Sequence, residues 1–239
     1  MKIPAFYLGL MLVSAVSLQA QAPSPAPAEA RFRVLGLDVA GSDLNYLLKD
    51  KDVPVSIVSD SRSDFYTAPQ ANPVVFYRVE KLPDGSLKRL PVAQADLSAG
   101  GSLPLLIFSA DPAAQDKLRV DVLTDDLKTF PSGTFRILNR DQFELGALFS
   151  NQPTVIPAFE ERVIEPKPDA GRTTIFFQLY RLEKGSRHLL YSNNWALVPG
   201  LRTLVVVTTA IPPQAQPNVR RISESAIQLA ESLHPSPKP

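Results

Sequence analysis

Short runs that alternate apolar and polar residues dominate the chain, and helical spacing is nearly absent before residue 218. FRVLGL (32–37), VPVSIV (53–58) and FRILN (135–139) are β-branched stretches too short for helices and bounded by turn residues. VVFYRVEK (74–81) and TTIFFQLYRLEK (173–184) each run into a glycine turn. They return through LKRLPV (87–92) and RHLLYS (187–192), which is the signature of a β-hairpin. LPLLIF (103–108) and RTLVVVTT (202–209) are almost continuously apolar, as expected of central strands in a sandwich. KLRVDVL (117–123) is a further strand that could close one unit or open the next. Only at the end does the period change. Over 218–233, Ile222, Ala226, Leu229 and Leu233 share one helical face, which predicts a short amphipathic helix able either to fold back or to dock a partner.

The phrase YRVEK at Tyr77 returns as YRLEK at Tyr180. At the same spacing, Phe32, Arg33, Leu35 and Asp38 fall on Phe135, Arg136, Leu138 and Asp141, and Val53-Pro54 on Ile156-Pro157. Past an insertion at Leu82-Pro83-Asp84, Gly85-Ser86 meets Gly185-Ser186, Leu90 meets Leu190 and Gly100 meets Gly200. Ala95 then stands against Trp195, and Ala110 and Pro112 against Ala210 and Pro212. The repeat is too long for a solenoid unit, so each copy is a small domain. The expected fold is all-β: two tandem, internally duplicated β-sandwiches of immunoglobulin-like size with a short C-terminal helix. The expected boundaries are 31–115 and 116–213, preceded by a signal peptide (1–22) and a Pro/Ala-rich linker (23–30). A Pro-rich linker, the helix and a tail follow over 214–239.

Composition adds an address. A lysine, an apolar run from Ile3 to Leu18 and Ala20-Gln21-Ala22 form a secretory leader, with cleavage expected near Ala20 or Ala22. Export to the periplasm or beyond follows, with a mature protein that does not span a membrane. The chain has no cysteine, so disulfides, thiol catalysis and thiolate metal sites are excluded together. The net charge of +1 gives no field to recruit nucleic acid. Hydrophobic residues make up 44%, enough for a core without disulfides.

Candidate chemistry is sparse. His188 and His234 have no metal-ligand spacing, and no phosphate loop, nucleophile elbow or calcium loop occurs. Asp60, Asp64, Asp125 and Asp126 read as turn and surface acids. Glu160, Glu161 and Glu165 cluster, but nothing pairs any two of them for hydrolysis, and a charged edge strand fits them better. Arg78 with Glu80, and Arg181 with Glu183, read as retained cross-strand pairs. Arg33 and Arg136 are retained among apolar neighbours. Trp195, with Tyr191, Asn193 and Asn194, would stack on a sugar ring if exposed and plug the core if buried. No cofactor is expected.

FPSGTFRILN (130–139), LLYSNNWALVPGLRTLVVV (189–207) and NPVVFYR (72–78) together resemble a family of small exported tandem β-domain proteins of Gram-negative bacteria. The resemblance implies export and a two-domain β-fold, and it brings no activity and no catalytic residues. The expected function is therefore that of a non-enzymatic envelope protein that binds or scaffolds another envelope protein. A glycan-binding module centred on Trp195 is the alternative, and a hydrolase using loop carboxylates the third.

Overall fold

The computed structural model describes residues 30–168, 170–208 and 217–233. The expected leader (1–22), most of the Pro/Ala-rich stretch, residues 209–216 and His234 lie outside the described residues. The first unit opens with β1 (Arg31–Leu37), β2 (Gly41–Leu48), β3 (Lys51–Ile57) and the two-residue β4 (Tyr66–Thr67). It continues with β5 (Val74–Lys81), β6 (Leu87–Ala95), β7 (Pro104–Ala110) and β8 (Leu118–Thr124). The second has β9 (Phe135–Arg140), β10 (Glu144–Phe149), β11 (Gln152–Ile156) and β12 (Glu161–Ile164). It ends with β13 (Thr174–Glu183), β14 (Ser186–Ala196), β15 (Leu201–Thr208), β16 (Asn218–Ser225) and the helix α1 (Ala226–Leu233).

The duplication is visible strand for strand. The first unit pairs an outer sheet β3-β2-β5-β6 with an inner sheet β4-β1-β7-β8. The second repeats both orders as β11-β10-β13-β14 and β12-β9-β15-β16. In each inner sheet one pair is parallel, β1 with β7 and β9 with β15. Both YR-EK phrases run into equivalent hairpin turns, where Gly85 and Gly185 take φ of 82° and 81°. That left-handed conformation costs a side-chain-bearing residue more than glycine.

Three apolar layers separate the four sheets. One fills the first sandwich around Phe32, Tyr46, Phe76 and Phe108. Another fills the second around Phe149, Phe177, Trp195 and Val207. The third lies between the inner sheets and joins Leu35, Leu105 and Ile107 to Leu138, Leu204, Val206 and Ile222. The inner strands are thus covered on both faces, which explains their unbroken apolar runs: even residues of β1 enter one layer and odd residues another.

Register corrects the alignment of the two copies. Arg33 lies opposite Leu105, and its equivalent Arg136 lies opposite Leu204. Leu105 therefore matches Leu204, not Val205 as the Gly100–Gly200 match implies. A one-residue slip would exchange the faces of the strand, and Leu105 and Val205 do belong to different layers. Likewise Ala93 lies opposite Phe76 and Tyr191 opposite Leu179. Counting on from these, the place of Trp195 in the first copy falls to Leu97, itself packed against the core, and not to Ala95.

Two boundaries also move. The strand near 117–123 pairs with β7 and closes the first sandwich, so the first copy does not stop at residue 115. The helix expected over 218–233 is a strand as far as Ser225, and the second copy therefore runs past Pro213. One side of β15 is taken by β9, and the free side offers a ladder from Leu201 to Thr208 that residues 218–225 complete. Those backbone bonds, with Val219 and Ile222 at suitable positions, outweigh the helical spacing of the side chains.

Because the central layer is shared, the two sandwiches are expected to unfold as one unit. Ile107→Ala should cost about 2–4 kcal/mol and lower a single calorimetric transition. Two resolved transitions, only one of them moved, would show that the layer does not couple the halves.

Candidate functional site

The central layer gives way at one end to five charged side chains. Arg33 shares a face with Leu35, Arg202 with Leu204 and Glu224 with Ile222, so period two aims all three between the inner sheets. Asp125 follows β8, and Arg62 comes from the loop before β4. Asp125, 1% exposed in its side chain, accepts from Arg33 at 2.6 Å and from Arg62 at 3.1 Å, and lies 3.1 Å from Arg202. Glu224 accepts from Arg202 at 2.6 Å and also from Arg33. Phe130, wholly buried, is faced by Arg136 and Arg202 at 4.7 and 4.9 Å.

Three guanidiniums thus share two carboxylates, and the imbalance shows in their proton affinities. Burial works against the charge of Glu224, but hydrogen bonds from Arg33 and Arg202 and the Arg62 charge hold its pKa down to about 2. Burial also opposes the charge of Arg33, yet Glu224 and Asp125 raise its pKa. Arg202 goes the other way, because desolvation outweighs Asp125 and Glu224 there. Both arginines remain cations at any ordinary pH.

A second pair of contacts crosses the interface with reversed polarity. Arg220 on β16 reaches back to Asp38 and, at 2.7 Å, to Asp60 of the first sandwich. Its register equivalent on β8 is Asp121, which forms an ion pair with Arg140 of the second sandwich at 2.9 Å. Beside the first contact is a groove of about 530 Å³ containing Asp60, Arg62 and Glu224. Beside the second is one of about 330 Å³ containing Arg140, Glu160 and Glu161.

The residues singled out by sequence are placed as follows. Trp195 is 2% exposed and stacked on Phe177 at 4.0 Å and Phe135 at 5.4 Å, so it has no free face for a sugar. It lies opposite the inward Ile175, and its Nε1 donates to the Tyr191 hydroxyl at 3.2 Å. Asn193 donates to the same hydroxyl, whereas Asn194 is exposed. That hydroxyl joins Tyr191, Asn193 and Trp195, but only Trp195 plugs the core, and both asparagines are exposed. The supposed docking face is also turned inward: Ile222 belongs to the central layer, Ala226 and Leu229 are buried, and the Leu233 carbonyl accepts from Arg31. Ile227, 63% exposed, is what the helix presents instead.

Of the acids, Asp125 is no surface charge, while Asp126 caps the connection by accepting from the amides of Lys128 and Thr129. Glu160 sits 3.6 Å from Arg162 and Glu161 3.8 Å from Arg136, so the two carboxylates answer to different cations. Glu165 is exposed beyond β12. His188 is exposed on β14 opposite Arg181. Among the described residues, no three potential metal-binding side chains cluster. The paired charges of the YR-EK phrase are redirected: Arg78 meets Asp43 at 2.6 Å and Arg181 meets Asp141 at 3.0 Å, in place of Glu80 and Glu183.

The outer faces of the two sandwiches differ. Across the second, Val155, Gly146, Tyr180 and Leu189 form one row spanning all four strands. Val155 and Leu189 are 47% and 51% exposed, and Leu182 lies over the bare backbone of Gly146. The matching row of the first reads Pro54, Asn45, Tyr77 and Pro91. There Tyr77 is buried beneath Arg89, 5.4 Å from its ring, and donates to Asp52. Burial and that carboxylate push the Tyr77 hydroxyl up to about 12. No protein-family model and no curated protein matches the chain. Among the described residues, no helix is long and apolar enough to cross a membrane.

The charged cluster predicts an acid response. With its pKa lowered from 4.5 to about 2, Glu224 contributes stability that is complete above pH 4.5 and disappears as pH falls toward 2. Allowing for partial exposure, the loss is on the order of 2 kcal/mol. Denaturant titrations across that window should show it in the native chain and a flatter profile in Glu224→Gln; equal slopes would remove Glu224 from the response.

Proposed function

We propose that the chain is a non-enzymatic exported envelope protein that binds or scaffolds another protein through the outer sheet of its second sandwich. The observation that carries this reading is the apolar row Val155–Gly146–Tyr180–Leu189, set against the charge-covered row at the same place in the first copy. Duplication supplies the internal control. The same fold at the same position closes over its tyrosine in one copy and leaves aliphatic groups facing water in the other. A contiguous exposed apolar patch on a folded surface favours association, and tyrosine suits such an interface through its rigid ring and polar tip.

Rigidity supports a scaffolding role. Two sandwiches fused through a shared core hold their outer sheets at a fixed separation, with no hinge between them. The leader-like N-terminus and the resemblance to exported β-proteins support an envelope location. Glu160 and Glu161, the acids a hydrolase would pair, lie beside separate cations, and the only tryptophan, on which a sugar platform would depend, is inside.

A photo-crosslinking residue placed at Val155 or Leu189, in the native envelope, should yield one dominant protein adduct. The same residue at Val79, exposed on the first outer sheet, should yield none. Val155→Glu with Leu189→Glu should reduce copurification of that partner by about tenfold or more while leaving stability nearly unchanged, since both side chains are exposed. Adducts spread evenly over the two outer sheets would overturn the assignment.

A further inference from the structure

Strand register allows the two sandwiches to be compared residue by residue, and one core position differs in kind. In the first, Val34, Leu106 and Val122 lie in line across β1, β7 and β8. Val122 packs against the first core. In the second, the same line reads Ile137, Val205 and Arg221. Where one sandwich closes with a valine, the other places an exposed guanidinium. A guanidinium cannot enter an apolar core without losing its hydration. Arg221 instead lies over the Trp195 ring, 5.5 Å from its centroid.

A pocket of about 200 Å³ opens at this point. Phe135, Leu197, Val198 and Leu201 form apolar walls, and Arg221 and Ser223 stand at one side. The Ser223 hydroxyl is 2.9 Å from that of Thr203, which also lines the space. The neighbouring charges on β16 are already committed, Arg220 to Asp38 and Asp60, and Glu224 to Arg33 and Arg202. Among the described residues, Arg221 has the indole ring as its partner and no carboxylate.

We propose that this pocket binds a small monocarboxylic acid, a single aromatic ring or short alkyl chain bearing one carboxylate. An apolar cavity of about 150 Å³ already accepts benzene, so the walls here have room for one ring. The guanidinium supplies the charge-assisted, two-pronged hydrogen bonding that carboxylates favour, and the hydroxyl pair offers a further donor. Neither half suffices alone: the walls do not select an acid, and an exposed arginine without walls does not hold one. The proposal stands apart from the protein-binding row, which lies on the other face of the outer sheet.

The sole tryptophan lies beneath Arg221, so its fluorescence reports occupancy in the unmodified protein. Phenylacetate titrated over roughly 0.1–20 mM, the range suited to a ligand of about ten non-hydrogen atoms, should give a saturable change. Phenylacetamide, neutral and of the same shape, should bind at least tenfold more weakly. Arg221→Gln should lose the acid by a similar factor, and Arg221→Lys should retain part of it. Arg221 is exposed, so both variants should keep the wild-type melting temperature. Ligand-observed NMR makes the same comparison without relying on the indole. No saturation by phenylacetate or hexanoate, equal binding of acid and amide, or unchanged binding by Arg221→Gln would each overturn the proposal. So would tighter binding of a peptide ending in a free phenylalanine carboxylate, which would assign the pocket to protein C-termini.

Discussion

The central strands of the inner sheets have no face toward water, and the rest of the molecule follows from that. A strand covered on both sides must be apolar at every position or must neutralise what it buries. β1, β7, β9 and β15 follow the first course along most of their length. At Arg33 and Arg202 they follow the second, through carboxylates delivered from beyond β8 and from β16. Replacing such a cluster wholesale by apolar groups can be neutral, but removing one partner strands the others. The charged end of the interface therefore fixes how the sandwiches meet more than it adds to their attraction. The apolar layer supplies most of that.

The outer sheets are free of this constraint, and there the copies have diverged. Each needs one buried face only, so the water-facing rows could change without disturbing the cores. One became a tyrosine closed in by Asp52 and Arg89, the other a line of aliphatic side chains across a bare glycine. The side of each sandwich diverged too, at Val122 and Arg221. Both differences arise where the fold tolerates change, which is where differences of function between duplicated units are to be sought.

Strands, hairpins and the duplication itself were legible in the sequence because they rest on local signals: period two, glycine turns and a repeated phrase. Register was less so. Identities at Gly100 and Gly200 lie in turns, and a turn can absorb a one-residue shift that reverses a strand. The segment 218–225 carried a helical spacing, and only the vacant edge of β15 makes it a strand. Trp195 could have faced either way, since the bulge between Leu179 and Tyr180 changes the count along the hairpin. The charged cluster was half visible. Arg33 stood out among apolar neighbours, as Arg202 could have, but the acid that answers Arg33 lies 92 residues away, in what reads as a surface turn.

The two reversed contacts across the interface have a bearing on assembly. Asp121 of the first sandwich faces Arg140 of the second, while Arg220 of the second faces Asp38 and Asp60 of the first. Were two first halves from different chains to meet in this manner, acid would face acid. Were two second halves to do so, arginine would face arginine. Halves that share a fold, and once shared a sequence, are thereby made unlike in the one respect that governs whom they recognise. A chain that folds amid many copies of itself is steered toward closing on its own other half.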